Sequence, residues 1–400
     1  MPDRELDLVL YGATGFTGRV AARYLAAHAP PGLRWALAGR DPGKLEALRR
    51  DLDGSGAPSA ALKVDAADAG AVRDMAARAR VVASTAGPFA RYSDPVVTAC
   101  VEARTDYADI TGETPWVRTL IERHHGRAGA EGTRIVPLCG FDSVPADLGA
   151  WMLVDAVRRA WDQPTRRVVS AFRLRGGGVN GGTVASALTL AESGDAAALR
   201  DPLLLVPPAA RGLVEDRPAR RSAGRDGDLD AWLAPFVMSP INQQVVLRSA
   251  ALAAERGRPY GPRFGYDEGL ELRRAAAVAV SVGMRVGDRL MASSLGRGLV
   301  RRLAPSPGEG PSEAAMTSGH VRLRLVAEAA DGRRATGELA CPGDPGNRAT
   351  ALFLCESALA LALDREALPP GGGVLTPATA LGGALLARLR RAGVTATTTP

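Results

Sequence analysis

The chain has 400 residues with 46% hydrophobic and 23% charged side chains, and its formal net charge is +7. These values are typical of a globular protein of two or three domains and exclude a disordered or fibrous chain. Arginine supplies almost all of the positive charge, without a helix-turn-helix, zinc-finger or RNP-like aromatic pattern, so no nucleic-acid partner is expected. An acidic partner, an anionic membrane surface and a plain compositional bias toward arginine stay open as reasons for the charge.

Four cysteines without CxxC spacing predict reduced, buried thiols, with neither a zinc site nor a disulfide framework. They are Cys100, Cys139, Cys341 and Cys355. The charged N-terminal residues do not resemble a signal peptide, and no uninterrupted apolar run reaches the length of a membrane span. We therefore expect a cytoplasmic location, while peripheral membrane association and homo-oligomer formation stay open.

The first predicted unit is a buried strand from Leu6 to Tyr11, a glycine-rich turn and a helix that begins near Thr17. Its glycines follow the spacing G-x-x-G-x-x-G. Gly12 permits a tight turn, Gly15 lets the backbone approach a pyrophosphate, and Gly18 lets the helix pack against the strand. The free N–H groups and positive dipole end of the helix favour phosphate binding. The pattern predicts a dinucleotide site.

Arg40 follows the second predicted strand, which runs from Trp35 to Ala38. The tip of this strand lies beside the adenosine ribose in dinucleotide-binding folds, where an acidic residue binds the ribose hydroxyls. An arginine favours a 2′-phosphate instead, so Arg40 predicts NADP(H), with a solvated turn arginine as the alternative. Asp65 ends the third strand (61–64) and either contacts adenine or caps the next helix.

Strands and helices alternate through the rest of the first half of the chain. The fourth strand opens on Gly87 and Pro88, which we expect to border the nicotinamide side. Two further strands, 107–110 and 134–138, end in polar loops. The alternation predicts an α/β class, a Rossmann-type doubly wound parallel sheet, within a first domain of residues 1–150.

The pattern changes after a helix that ends near Trp161. A strand (167–175) leads into a glycine-rich loop (176–183), which is either a second anion cradle or a flexible turn. Residues 211–230 are predicted to form an exposed loop. Asp331 and Gly332 lie between two alternating runs, a strong hairpin signal.

These features predict a second, α+β domain with a largely antiparallel sheet, residues 151–345. Two C-terminal helices, 349–363 and one capped by Thr376 that runs to Arg391, then form a segment (346–400) that packs back on the first domain.

Motifs along nearly the whole chain carry a family resemblance. The segments YGATGFTG, AGR, ASTAGPF, YADITGE and CGFDSVPADLG together resemble the saccharopine dehydrogenase-like oxidoreductases. The segments GGTVASAL, PFVMSPIN, YGPRFGY, PSPGEGPS, GDPGNRATALFLCESALALA and GGGVLTPA are similar to the trans-acting enoyl reductase branch of mycobacterial polyketide-lipid pathways. Asn347 departs from the family pattern, which usually has an aromatic residue there, so no substrate contact is carried over to it.

The resemblance implies NADP(H) contacts at Gly12, Thr14, Gly15, Phe16, Thr17 and Arg40, and we include Ala13 and Gly18 of the same turn in the expected site. It also implies the reduction of a carbon–carbon double bond in an acyl or polyketide thioester held on a carrier domain, in lipid biosynthesis. Such a reaction needs donors for the thioester oxygen and a proton for the α-carbon.

We expect the catalytic groups to be Ser143, Tyr107 and Asp142, at strand ends of the first domain. Further candidates are Asn180, Tyr260 and Glu113, whereas His124 and His125 are expected on a helix surface. No tyrosine is followed four residues later by lysine, so the short-chain dehydrogenase pair is missing, and no histidine cluster suggests a metal. Two alternatives stay open: an NADP(H)-dependent enzyme for an imine or amino-acid-type substrate, and a non-catalytic NADPH-binding protein.

Overall fold

The computed structural model describes residues 4–52, 54, 56–176, 180–192, 195–303, 305 and 309–400. Its strands are β1 (Leu6–Tyr11), β2 (Trp35–Gly39), β3 (Ala60–Lys63), β4 (Ala79–Ser84), β5 (Asp106–Asp109), β6 (Arg134–Val136), β7 (Thr165–Arg175), β8 (Gly224–Asp226), β9 (Ala231–Ala234), β10 (Gly265–Leu272), β11 (His320–Ala329), β12 (Arg334–Pro342), β13 (Gly373–Val374) and β14 (Thr395–Thr399).

Its helices are α1 (Phe16–His28), α2 (Pro42–Asp51), α3 (Ala69–Arg78), α4 (Phe89–Tyr92), α5 (Asp94–Ala103), α6 (Thr114–Glu131), α7 (Val144–Trp161), α8 (Gly181–Glu192), α9 (Ser239–Glu255), α10 (Arg274–Ala292), α11 (Ser294–Leu303), α12 (Glu313–Thr317), α13 (Thr350–Leu363) and α14 (Pro377–Arg391). No helix in the described ranges is both long and apolar enough to cross a membrane.

The first sheet has seven parallel strands in the order β13-β6-β5-β4-β1-β2-β3, which confirms the predicted Rossmann-type class. The inner strand β1 is buried along its whole length, as expected where helices cover both faces of a parallel sheet. The chain leaves β1 for β2 on one side and later returns to β4 on the other. The carboxyl ends of β1 and β4 therefore border a crevice of the kind that binds ligands in such sheets.

The second sheet has the strand order β14-β12-β11-β7-β10-β9-β8. Among its described strand pairs only β7 and β10 are parallel, so the predicted, largely antiparallel character is confirmed. The predicted hairpin joins β11 to β12, and Gly332 takes the positive φ of 88° that its turn requires.

Helix α7 packs on the second sheet and is tied to two other helices by one buried carboxylate. Asp147 of α7 accepts hydrogen bonds from the Ser249 hydroxyl of α9 and, at 2.8 Å, from the Ala378 N–H of α14. Burial raises the pKa of Asp147 to about 7. Gly149 brings α7 against β11, since a Cβ there would lie 2.9 Å from a methyl carbon of Leu325.

Two expectations differ from the structure. Residues 211–230 are not simply an exposed loop: they include β8 and the buried side chain of Leu229, and Arg220 pairs with Asp267 of β10 at 2.6 Å. This ion pair holds a polar segment against the second sheet. The C-terminal segment contains two short strands in addition to the two predicted helices. Strand β13 joins the first sheet, and β14 joins the second. Neither short strand has the apolar alternation that would have predicted it.

Candidate functional site

The glycine-rich turn between β1 and α1 has the close geometry that its spacing predicts. Gly12 has a φ of +80°, and a Cβ there would lie 2.9 Å from the backbone nitrogen of Ala86. A Cβ at Gly18 would overlap the carbonyl oxygen of Gly12 and lie 2.8 Å from that of Ala13. Only glycines allow α1 to start this close to the strand, which leaves the turn open toward the crevice.

The N-terminus of α1 offers unused hydrogen-bond donors. Its N-cap, Gly15, has no capping side chain, and the first turn contains no acidic residue. Within the described ranges, the backbone N–H groups of Phe16 and Thr17 have no hydrogen-bond acceptor. Orphan N–H groups at the positive end of a helix dipole fit a phosphate group. The residues present therefore fit the pyrophosphate of a dinucleotide.

Arg40 lies exposed at the carboxyl end of β2, on the wall of the same cavity as the glycine turn. Its neighbour Asp41 is occupied: the side chain accepts the Lys44 N–H at 3.0 Å and pairs with the Lys44 ammonium at 3.7 Å. Asp65 also lines the cavity and accepts the Ala67 N–H at 3.0 Å. The two cations beside the strand tip fit a 2′-phosphate better than bare ribose hydroxyls.

A cavity of about 1580 Å³ runs from this turn to helices α8, α9 and α10. Ligand pockets commonly measure about 300–1000 Å³, so the cavity has room for a cofactor and a second molecule. Beyond the glycine turn the wall is largely apolar; this part includes Phe89, Ile110, Leu190, Met238, Ile241, Met284 and Met291.

Asp142 lies on the wall of this cavity, between β6 and the start of α7. In the described part of the chain its partly exposed carboxyl group has no hydrogen-bond partner and no neighbouring charge that shifts it. Burial alone raises the pKa of Asp142 from 3.8 to about 6. A carboxyl group with such a pKa carries a proton over part of the neutral range and can give it to a ligand.

Glu113 lines the same cavity, but both of its carboxylate oxygens already accept hydrogen bonds from the protein. They accept the backbone N–H groups of Phe89 at 2.9 Å and Ala90 at 3.0 Å, at the start of α4. The Ser186 hydroxyl of α8 donates to Glu113 at 2.9 Å. Glu113 therefore holds α4 and α8 against the end of β5, and Ser186 is a cavity residue that the chemistry of the sequence did not single out. It lies in the family motif GGTVASAL.

Asn180 connects the second glycine-rich loop to the first. Its amide donates to Asn347 at 2.8 Å and more weakly to Thr17 at 3.5 Å, and its oxygen accepts the Thr183 N–H at 3.0 Å. Asn347 is buried and donates in turn to Asp344 at 2.7 Å. Residues 177–179 of the loop, and residues 306–308 of PSPGEGPS, lie outside the described residues.

Other predicted groups do not reach the cavity wall. The Tyr107 hydroxyl donates to Asp109 at 2.9 Å in the core, where burial raises the pKa of that phenol. Ser143 and Tyr260 are buried and their hydroxyls have no partner in the described part of the chain. Of the expected cofactor residues, Gly12, Thr14, Gly15, Phe16, Thr17, Arg40, Asp65 and Gly87 line the cavity, whereas Ala13, Gly18 and Pro88 do not.

The expectation for the two histidines was wrong, because both are partly buried. His125 accepts the Val374 N–H at 3.2 Å and stands beside the buried Arg248. Burial lowers the pKa of both His124 and His125. Strand β13 packs against their helix α6, and Arg248 of α9 reaches His125, which the sequence pattern did not reveal. No group of three or more His, Cys, Asp or Glu within the described ranges could hold a metal ion.

Comparisons with known proteins agree with this geometry. Residues 8–136 match the family model of the saccharopine dehydrogenase NADP-binding domain, so the cofactor is NADP(H). The chain is 42% identical, over 99% of its length and 98% of the relative's, to a Mycobacterium tuberculosis protein provisionally named as a trans-acting enoyl reductase. Proteins named trans-acting enoyl reductase from Mycobacterium bovis and Mycobacterium ulcerans are 39% and 37% identical over the same shares.

A solved structure shares the fold over nearly the whole length of both chains. It is the apo saccharopine dehydrogenase (L-Glu forming) of Saccharomyces cerevisiae, with a TM-score of 0.53 and 13% identity over 98% of this chain and 99% of the other. At this identity the likeness shows the fold alone.

Proposed function

The chain belongs to the saccharopine dehydrogenase-like oxidoreductases, in the branch of the trans-acting enoyl reductases, and from this premise we propose its reaction. It is an NADP(H)-dependent oxidoreductase. The proposal is that it reduces a carbon–carbon double bond of an acyl or polyketide thioester, presented in trans by a carrier domain, in lipid biosynthesis.

The observation that supports this substrate class is the carboxyl group of Asp142 on a largely apolar wall. Asp142 faces the cavity that starts at the glycine turn, and methionine, isoleucine and phenylalanine side chains surround the space beyond. Such a wall suits an acyl chain, whose burial is driven by the hydrophobic effect. A protonated carboxyl group suits a reaction that ends with a proton delivered to carbon.

The residues divide the work between binding and proton transfer. The N–H groups of Phe16 and Thr17 would hold the pyrophosphate, and Arg40 with Lys44 would hold the 2′-phosphate. When bound, NADPH supplies hydride equivalents to an electrophilic carbon. Protonated Asp142 would donate the proton that the product gains at its α-carbon. It would then take up another proton from water after each turnover.

The two alternative functions make different demands on the cavity. An imine or amino-acid-type substrate needs cations for its carboxylate, which Arg200 and Arg285 of the wall could supply, whereas two other arginines of the wall are paired with acids. Arg220 pairs with Asp267 at 2.6 Å and Arg221 with Asp288 at 3.9 Å. A non-catalytic NADPH-binding protein would not need a carboxyl group with a raised pKa in its cavity. The raised pKa of Asp142 favours an enzyme over a non-catalytic protein, and the largely apolar wall favours an acyl substrate over an amino-acid-type one.

Purified protein tests the proposal through NADPH oxidation, followed by absorbance, with 2-enoyl thioesters of increasing chain length. We expect turnover with NADPH, weaker turnover with NADH, and a product saturated between Cα and Cβ. An Arg40→Asp variant should lose at least about tenfold in NADPH affinity, since it exchanges a charge-assisted phosphate contact for repulsion.

The matched control is Arg23→Asp, which changes the same charge on the exposed side of α1, away from the cavity. It should leave NADPH affinity unchanged. NADPH binding without oxidation of any free or carrier-bound enoyl thioester would refute the enoyl reductase, and oxidation with imines would then establish the first alternative.

A further inference from the structure

Helices α10 and α11 carry most of the exposed large apolar side chains of the protein. Of the eleven such residues in the described part of the chain, seven lie on these two helices, with exposed fractions between 45% and 87%. They are Val278, Val282, Val286 and Leu290 of α10, and Leu295, Leu299 and Leu303 of α11. We call these seven residues the α10–α11 apolar face. Contiguous apolar surface of this kind marks an interaction site.

The spacing shows that the face is built by helical periodicity and not by scattered exposure. Within each helix the residues recur every four positions, so their side chains share one side of the helix. The two helices also touch closely: a Cβ at Gly296 would overlap the carbonyl oxygen of Leu290. Each of these two packed helices therefore presents an apolar side to the outside.

The charges around this face select its partner. Arg289 lies at helical spacing from Val282 and Val286, and Arg302 lies at helical spacing from Leu299, whereas Arg285 lines the cavity. The only acidic residue of the two helices, Asp288, lines the cavity instead and pairs with Arg221 at 3.9 Å. An outward apolar side bordered by Arg289 and Arg302, with no acidic residue of its own two helices on that side, is the pattern of a helix that lies in the surface of an anionic membrane.

A second copy of this chain fits the face less well. Two such faces packed together would bring arginines against arginines, with no carboxylate of either helix between them. An acidic protein would match the arginines but would leave apolar side chains that are best covered by a non-directional, apolar partner. The apolar interior of a lipid layer meets both demands, since long arginine side chains reach back to the headgroups.

We propose that the protein docks on anionic phospholipid membranes through the α10–α11 apolar face. The other side of α10 carries Met284 and Met291, which line the cavity. The helix therefore stands between the membrane surface and the site, so a lipid-like acyl chain has a short route to the cavity. The docking itself rests on the exposed face and its arginines, and does not require the proposed reaction.

Co-sedimentation with vesicles tests this docking, using equal parts phosphatidylglycerol and phosphatidylcholine beside vesicles of phosphatidylcholine alone. We expect binding to the anionic vesicles that weakens with salt and is far weaker on the neutral ones. Leu299→Glu should lower the partition coefficient about tenfold or more. It removes a leucine that the lipid would bury, and it adds a negative charge that the anionic headgroups repel. Leu363→Glu, an exposed leucine at the end of α13, is the matched control and should bind like wild type.

The charge contribution has its own pair of variants. Arg302→Glu should weaken binding about tenfold, whereas Arg23→Glu on α1 should leave it unchanged. Reduction of a short, freely dissolved enoyl thioester should be the same in all four variants. That readout separates failure of the docking proposal from failure of the proposed reaction.

Several results would overturn the docking proposal. These are no binding of wild type to anionic vesicles, equal loss in Leu299→Glu and Leu363→Glu, or equal binding to neutral vesicles. A Leu299→Glu variant that turns a dimer into a monomer without vesicle binding by wild type would assign the face to a second copy. Should Leu299→Glu fail to fold, hydrogen exchange of wild type decides: anionic vesicles must protect residues 274–303 more than other exposed helices.

Discussion

Replacing Asp142 by asparagine tests the proton-transfer role most directly. The substitution keeps the size of the side chain and removes its acidic proton, and general acid catalysis typically contributes about 10²–10⁴-fold to a rate. We therefore expect kcat/KM for an enoyl thioester to fall by that factor at pH 6. Because the pKa of Asp142 is about 6, its protonated fraction should fall roughly fiftyfold between about pH 6 and pH 8. Wild-type kcat/KM should decline in parallel.

The assay is a pH profile of kcat/KM from pH 5 to pH 9, which reports the pKa values of the free enzyme. Asp142→Asn should be slow and nearly independent of pH. Asp65→Asn is the control, because it removes another carboxyl group from the cavity wall but keeps the acid at Asp142. An Asp142→Asn variant within about threefold of wild type, or a wild-type profile flat across this range, would show that another group supplies the proton.

Three further predictions concern stability and are read from urea unfolding. The raised pKa makes ionised Asp142 unfavourable in the folded state, so the contribution of Asp142 to stability falls as pH rises from about 4 through 6. Asp142→Asn should therefore be up to about 3 kcal/mol more stable than wild type at pH 8, with no such gain at pH 3, and an equal gain at both would contradict this. Gly18→Ala should lower the free energy of unfolding by about 1–3 kcal/mol, because its Cβ overlaps the glycine turn, and should weaken NADPH binding. The control Gly126→Ala, whose Cβ meets open space on α6, should raise the free energy of unfolding by about 0.5–1 kcal/mol. Equal effects of the two substitutions would refute the close packing at Gly18. Glu113→Gln should lower the free energy of unfolding by about 1–3 kcal/mol, because it leaves an N–H at the start of α4 unpaired. The control Glu122→Gln, at an exposed position, should cost at most about 1 kcal/mol. A loss in Glu113→Gln as small as that in Glu122→Gln would show that Glu113 does not hold the start of α4.

Local features of this protein follow from the sequence because their physics is local. The positive φ of Gly12, the closeness of Gly18 to the turn, and the hairpin at Gly332 depend on residues a few positions apart. The same holds for the cap of α14, where the Thr376 side chain accepts the Thr379 N–H. Alternation of apolar runs sufficed to predict a parallel sheet, and one arginine after β2 sufficed to predict NADP(H). The domain limits at residues 150 and 345 stay a prediction, since strands from beyond residue 346 join both sheets.

Only the tertiary structure decided which polar residues reach the cavity. Asp142 and Ser143 are neighbours in the same loop, yet one lines the cavity and the other is buried at the N-terminus of α7. Tyr107 lies on β5, which ends at the same edge of the sheet, but its hydroxyl donates to Asp109 in the core. Such choices depend on how helices from distant parts of the chain, α8, α9 and α10, close over the strand ends. Pairings over that distance leave no periodic trace in the sequence, because burial of any one side chain is set by all of its neighbours at once.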